Sequence, residues 1–103
     1  SANDEAYGHF KRALALTDKL PSGTMRDRRE LELQFSVTVP IIALRSWAAP
    51  EAGAAYRRAL ELSERVGTVS QRMRALSLTC GYHTVRSEHR IAQDLAETYF
   101  ARS

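Results

Sequence analysis

AAPEAGAAYRRALELSERVG, residues 48–67, carries Ala52, Tyr56 and Ala59 at i, i+4 and i+7. On an α-helix that spacing puts the three side chains on one stripe. The alanines admit a neighbouring helix, and the ring fills the gap between them. Pro50 has the backbone angle and the missing N–H that suit a first turn, and Gly67 is a natural stop, so the stretch predicts a helix over residues 50–66. The same device stands near the start of the chain, as Ala6, Phe10 and Ala13 in EAYGHFKRALAL, residues 5–16. A looser version, Ala92, Ala96 and Tyr99, lies near the end. From Ala6 to Ala52 is 46 residues and from Ala52 to Ala92 is 40, each interval holding one long apolar-periodic run between stripes. Periods of this length point to helical hairpins that each cover the apolar face of the one before.

The flanking segments are helical by the same criterion, since their apolar residues recur at three- and four-residue spacing and every break carries turn chemistry. A first helix over about residues 4–20 ends at Pro21, Ser22 and Gly23. Thr24 is the expected cap of a second helix over about residues 25–45, with Asp27 as its acidic partner near the positive end of the dipole. Its apolar residues form two adjacent rows, Leu31, Phe35, Val39, Ile42 and Leu33, Val37, Ile41, Leu44, which predicts burial against more than one neighbour. Pro40 removes one intrahelical hydrogen bond, at about 3 kcal/mol if uncompensated, and predicts a kink there. Ser70 is the expected cap of a fourth helix over about residues 71–86, and Ser87 that of a fifth over about residues 88–102. Glu61 and Arg65 have the spacing of an ion pair on the third helix. Trp47 is expected to staple the turn against helices two and three, with an exposed anchor for a partner as the competing use, and Gly53 either permits close packing or simply costs a little stability.

Composition narrows the function. At 103 residues and 44% hydrophobic content, the chain makes one domain spanning residues 1–103, and the initial serine suggests a segment of a longer protein. One cysteine excludes an internal disulfide framework, no apolar run is long enough for a membrane span, and a reducing, cytoplasmic setting follows as the default. The net charge is +3, with the excess between residues 65 and 90, where Arg65, Arg72, Arg74, Arg86 and Arg90 face only Glu88. That region is the basis of a rival reading as a nucleic-acid-binding helical domain. The absence of long basic runs with interleaved aromatics favours a solvated arginine-rich face instead. Cys80, His83 and His89 have partly metal-like spacing but lack a fourth ligand nearby, so the expectation is no metal, a buried thiol and surface imidazoles. The glycines stand singly, no phosphate-cradling loop is present, and no nucleophile has an identifiable base; no catalytic residue and no cofactor are expected.

The stripes resemble the second helix of tetratricopeptide-type repeats, although the intervals exceed 34 residues and the Trp and Gly-Tyr signature of the first helix is missing. More specifically, LPSGTMRDRRELELQF (20–35) and VPIIALRSWAAPEAGAAYRRALELSERVG (39–67) resemble the tetratricopeptide-like region of large bacterial regulators. In that family an ATPase module, preceded by a nucleotide cyclase or paired with a DNA-binding domain, is followed by a helical array. The resemblance implies an all-α fold of about five helices, antiparallel hairpins stacked as a short right-handed superhelix. It also implies a non-enzymatic scaffold for a protein or peptide partner, or for other domains of the same chain. On the fourth helix Arg74, Ser77, Gly81 and Thr84 share a stripe that is the candidate partner groove, with packing of a neighbouring helix as the competing use. Self-association is expected through the exposed repeat ends, either the first helix or Tyr99 and Phe100.

Overall fold

A computed structural model describes residues 1–100, and these are all helix and short connection: α1 (Ala2–Thr17), α2 (Thr24–Leu44), α3 (Pro50–Val66), α4 (Val69–Val85) and α5 (His89–Phe100). Cα atoms of different helices come within 8 Å only between sequence neighbours, α1 on α2, α2 on α3, α3 on α4 and α4 on α5. The chain is therefore a serial stack of helices. The C-terminal end expected for the fifth helix, to residue 102, and the side chain of Phe100 lie outside the described residues.

The middle helix carries the core. Ala52, Tyr56 and Ala59 are all buried, at 0%, 1% and 1% exposure, as their stripe predicts. The copy on α1 is only half-buried at Ala6, Phe10 and Ala13, because α1 has a neighbour on one side alone. Two apolar clusters meet on α3. One joins Leu31 and Phe35 of α2 to Ala59, Leu60 and Leu62 of α3 and to Ala75 and Leu76 of α4. The other joins Val37 and Ile41 to Ala52, Ala55 and Tyr56 and to Tyr82 of α4, with Phe10 and Leu14 of α1 packed against it. Each buried leucine contributes about 2 kcal/mol relative to exposure. An ideal Cβ on Gly53 would fall 2.3 Å from the Tyr82 ring, so α4 can lie this close to α3 only where the residue has no side chain.

Several local expectations are corrected. Val39 and Ile42 of the outer α2 row face solvent, at 63% and 38% exposure, because α2 packs on α1 and α3 and no third helix covers its far side. The helix continues through Pro40, as expected, and Pro40 is buried within it. Gly23, at φ 154°, occupies the α2 cap position without a side-chain bond, and Thr24 is the first helical residue. Helix α4 is capped by Thr68 rather than Ser70: the Gln71 amide donates to Thr68 Oγ1 at 3.1 Å, and the Thr68 amide donates to Gln71 Oε1 at 2.9 Å. Ser87 closes α4 instead of opening α5. Its left-handed φ of 62° lets the Glu88 amide reach the His83 carbonyl (2.7 Å) and its own amide reach that of Thr84 (3.0 Å). The first helix begins at Ala2, where the Asp4 amide donates to Ser1 Oγ, and stops three residues short of expectation at Thr17.

Charge pairing also departs from the local pattern. In place of a Glu61–Arg65 pair, Glu61 pairs with Arg58 within α3 (3.0 Å), and Arg65 pairs with Asp27 of α2 (3.7 Å), one of the bonds that tie helices together. The strongest of these is a two-pronged contact in which Arg58 Nε donates to Glu30 Oε2 at 2.7 Å and Nη2 to Oε1 at 3.0 Å. Gln34 Nε2 adds a third donor at 3.3 Å. The Arg58 guanidinium holds the buried Glu30 carboxyl below the ordinary glutamate range, against burial, which acts the other way. A folded-state pKa below the unfolded one means that this pair stabilises the fold above about pH 4.5 and is lost as pH falls through the folded value. Urea unfolding across pH 3–7 is expected to show Arg58→Leu losing about 2 kcal/mol at neutral pH and having a shallower acid limb than wild type. An acid limb of unchanged steepness would remove Glu30–Arg58 from the account.

Candidate partner-binding face

Phe35, Val39 and Ile42 follow one another at i, i+4 and i+7 on α2; Phe35 is buried, whereas Val39 and Ile42 are exposed. Two contacts join α4 to the part of the chain that precedes α3. At one end the Arg74 guanidinium sits 4.6 Å from the centroid of the Phe35 ring, a cation over an aromatic face. At the other, the Trp47 indole from the α2–α3 connection lies so close to Gly81 that a Cβ there would be 2.7 Å from Trp47 Cη2. The Cα atoms of α2 and α4 do not come within 8 Å of one another, and Val39, Ile42 and Ser77 are each exposed.

The four residues of the α4 stripe thus have different situations. Arg74 and Gly81 are engaged by the protein's own aromatic side chains. Thr84 is exposed, but its hydroxyl donates to the Cys80 carbonyl at 2.8 Å, within the helix. Ser77 is exposed. The apolar part of the face comes instead from Val39 and Ile42, which sequence reasoning assigned to the core.

Trp47 is the staple expected, packed on the cluster that α2 and α3 share, and it also reaches α4. Its ring centroid is 6.2 Å from that of Tyr56, and the Tyr56 hydroxyl donates to the Trp47 carbonyl at 3.4 Å. Tyr56 meets Tyr82 edge-on at 6.1 Å, and Tyr82 meets His83 edge-on at 5.1 Å, so an aromatic ladder runs from the connection into α4. Burial pushes the Tyr56 phenol above its ordinary value.

Cys80, His83 and His89 do not converge. Cys80 is half-buried and its thiol, raised by burial, points at the Ala92 carbonyl of α5 (3.8 Å), while His89 is exposed. His83 is not the surface imidazole expected: it is buried at 6% exposure, with Nδ1 3.1 Å from Glu88 Oε1. Among the described residues no three His, Cys, Asp or Glu side chains are grouped to hold a metal ion, and no helix is long and apolar enough to cross a membrane. Of the ends expected to self-associate, Leu16, Leu20 and Met25 around the end of α1 are 61%, 47% and 86% exposed, whereas Tyr99 is half-buried.

Compared with protein-family models, with curated proteins and with solved structures, the chain matches none.

The Trp47–Gly81 clasp makes the single tryptophan a reporter of the face. Gly81→Ala is expected to push the indole off the α4 backbone and shift its emission to longer wavelength. An unchanged spectrum would show that the ring does not rest on Gly81.

Proposed function

We propose that this chain is a non-enzymatic protein-interaction module, a tetratricopeptide-like helical segment of a bacterial signalling or transcriptional regulator working in the cytoplasm. A protein or peptide partner, or another domain of the same chain, would lie along the exposed row of α2. The observation that carries this reading is the pair of open aliphatic side chains, Val39 and Ile42, which continue on α2 the row of Phe35, whose ring Arg74 covers. Exposed aliphatics next to an arginine and an aromatic ring make the mixture that anchors protein interfaces. The serial packing of α1 to α5 supports the repeat reading, because each helix leaves its second face for the next unit. Placement of the family, the superhelical hand and the parent protein rest on the resemblance of residues 20–35 and 39–67.

The arginines of residues 65–90 favour this reading over nucleic-acid binding. Arg65 pairs with Asp27, Arg74 covers Phe35, and Arg86 bonds Glu88 and the Ala48 carbonyl, which leaves few free to track phosphates.

A paired substitution tests the face. Val39→Asp with Ile42→Asp is expected to abolish stoichiometric co-purification of a partner while leaving the unfolding midpoint within a few degrees of wild type, since both positions are exposed. Val69→Asp with Val85→Asp, at 65% and 61% exposure on α4, is the matched control and is expected to retain the partner. Retention by both pairs, or a salt-steep affinity for DNA or RNA that both share, would overturn the assignment.

A further inference from the structure

A hollow of about 670 Å³ lies at the α1–α2 connection, lined by Leu20, Pro21, Met25, Arg26 and Arg29 and by the short run 22–24 between them. Its volume is in the range of ligand sites, and its surface is mostly apolar. Leu20 and Met25 are 47% and 86% exposed, so the protein's own helices leave this surface open. The hollow is also preformed. Arg26 Nη1 donates to the Leu20 carbonyl at 3.5 Å and to Ser22 Oγ at 3.4 Å, which ties the connection back to the first turn of α2. A surface already held in shape loses little entropy when a partner settles on it.

Charge says what kind of partner fits. Two arginines line the hollow and no carboxylate does. Arg26 lies 3.6 Å from Asp18 and Arg29 lies 3.7 Å from Glu32, both beyond hydrogen-bond length, and these two carboxylates are 74% and 65% exposed. Water-exposed pairs of this kind contribute little and exchange readily for another carboxylate. The other acidic groups of early α2 are committed to α3, Asp27 to Arg65 and Glu30 to Arg58. Lys19, exposed beside Leu20, has no acidic partner among the described residues. An occupant therefore brings both an apolar side chain and negative charge. A second copy meeting the hollow about a two-fold axis would set the same arginines against each other. Met25, unbranched and polarizable, adapts its shape to a large side chain laid against it.

We propose that the hollow at the α1–α2 connection docks an acidic peptide segment, with a large apolar side chain of the peptide on Leu20, Pro21 and Met25 and flanking aspartate or glutamate carboxylates on Arg26 and Arg29. This surface uses neither Val39 nor Ile42, so it stands or falls separately from the row on α2 proposed above.

The probe is the peptide acetyl-Glu-Asp-Phe-Leu-Asp-Glu-amide, compared with the same peptide carrying Gln and Asn in place of Glu and Asp. The readout is the methyl resonance of Met25 by NMR on the whole chain, with Met73 of α4 as the internal reference. A saturable shift at Met25 is expected, with a dissociation constant on the order of 0.1 mM that rises with salt. The neutral peptide is expected to bind about ten-fold more weakly, and Arg29→Glu to weaken the acidic peptide by a similar factor. Arg90→Glu, the same charge change at an exposed position of α5, and the Val39→Asp, Ile42→Asp pair are expected to leave it unchanged. Arg29 is exposed, so its replacement leaves the core intact. No shift at Met25, equal binding of the neutral peptide, or wild-type affinity in Arg29→Glu would overturn the proposal. So would a Met25 shift that follows protein concentration without peptide, which places a second copy there, or one produced by phosphatidylglycerol vesicles and not by the peptide, which places a membrane there.

Discussion

Everything in this fold depends on how closely α4 and α2 approach α3, and that distance is set by what α3 lacks. Gly53 has no side chain where the Tyr82 ring lies, and Ala52 and Ala59 present single methyl groups to their neighbours. Packing at interior density leaves no slack for larger residues at such positions, because a gap or a clash of one methyl group is felt directly. Tyr56, nearly fully buried between the two alanines, fills the volume they leave and carries the contact onward to Trp47 and Tyr82. One helix with small residues on two sides thus joins two apolar clusters that would otherwise be separate.

The placement of the functional features follows from that approach. Drawing α4 onto α3 brings Arg74 over Phe35 and Gly81 against Trp47, while Val39 and Ile42 stay uncovered. It also carries the end of α4 to the point where Ser87 reverses the chain, so that Glu88 meets His83. A non-glycine residue at φ 62° is held against a cost of about 1 kcal/mol, and the two hydrogen bonds it permits at the close of α4 are what offset it. Electrostatics acts at a second level. Glu30–Arg58 and Asp27–Arg65 tie α2 to α3 across the surface of the seam that the small residues create.

Helix number, the third helix's bounds and the buried stripe were legible because spacing alone determines which side chains share a face, and Ala52, Tyr56 and Ala59 needed nothing further. Helix starts were less so. Thr68 and Ser70 are both competent caps, and the choice fell to Thr68 because Gln71 stands three residues beyond it and returns the bond. Whether a row of apolar residues is buried depends on what lies beside it, and Val39 and Ile42 look no different in sequence from Leu31 and Phe35. The interhelical ion pairs were hidden for the same reason: Glu30 and Arg58 are 28 residues apart, and only the packing of α2 on α3 makes them neighbours. His83 was misplaced because its burial comes from the α4–α5 corner, which a left-handed serine builds.

The most direct test is the free energy of unfolding of Gly53→Ala. In a helix whose neighbours stand clear, this change stabilises by about 1 kcal/mol through propensity alone. Here the new methyl group would meet the buried Tyr82 ring, so a net loss of about 1–3 kcal/mol is predicted, turning into a gain when Tyr82→Ala removes the ring. Stabilisation by Gly53→Ala in the wild-type background would contradict the close approach of α4 to α3, and with it the contacts of Arg74 and Trp47 described above.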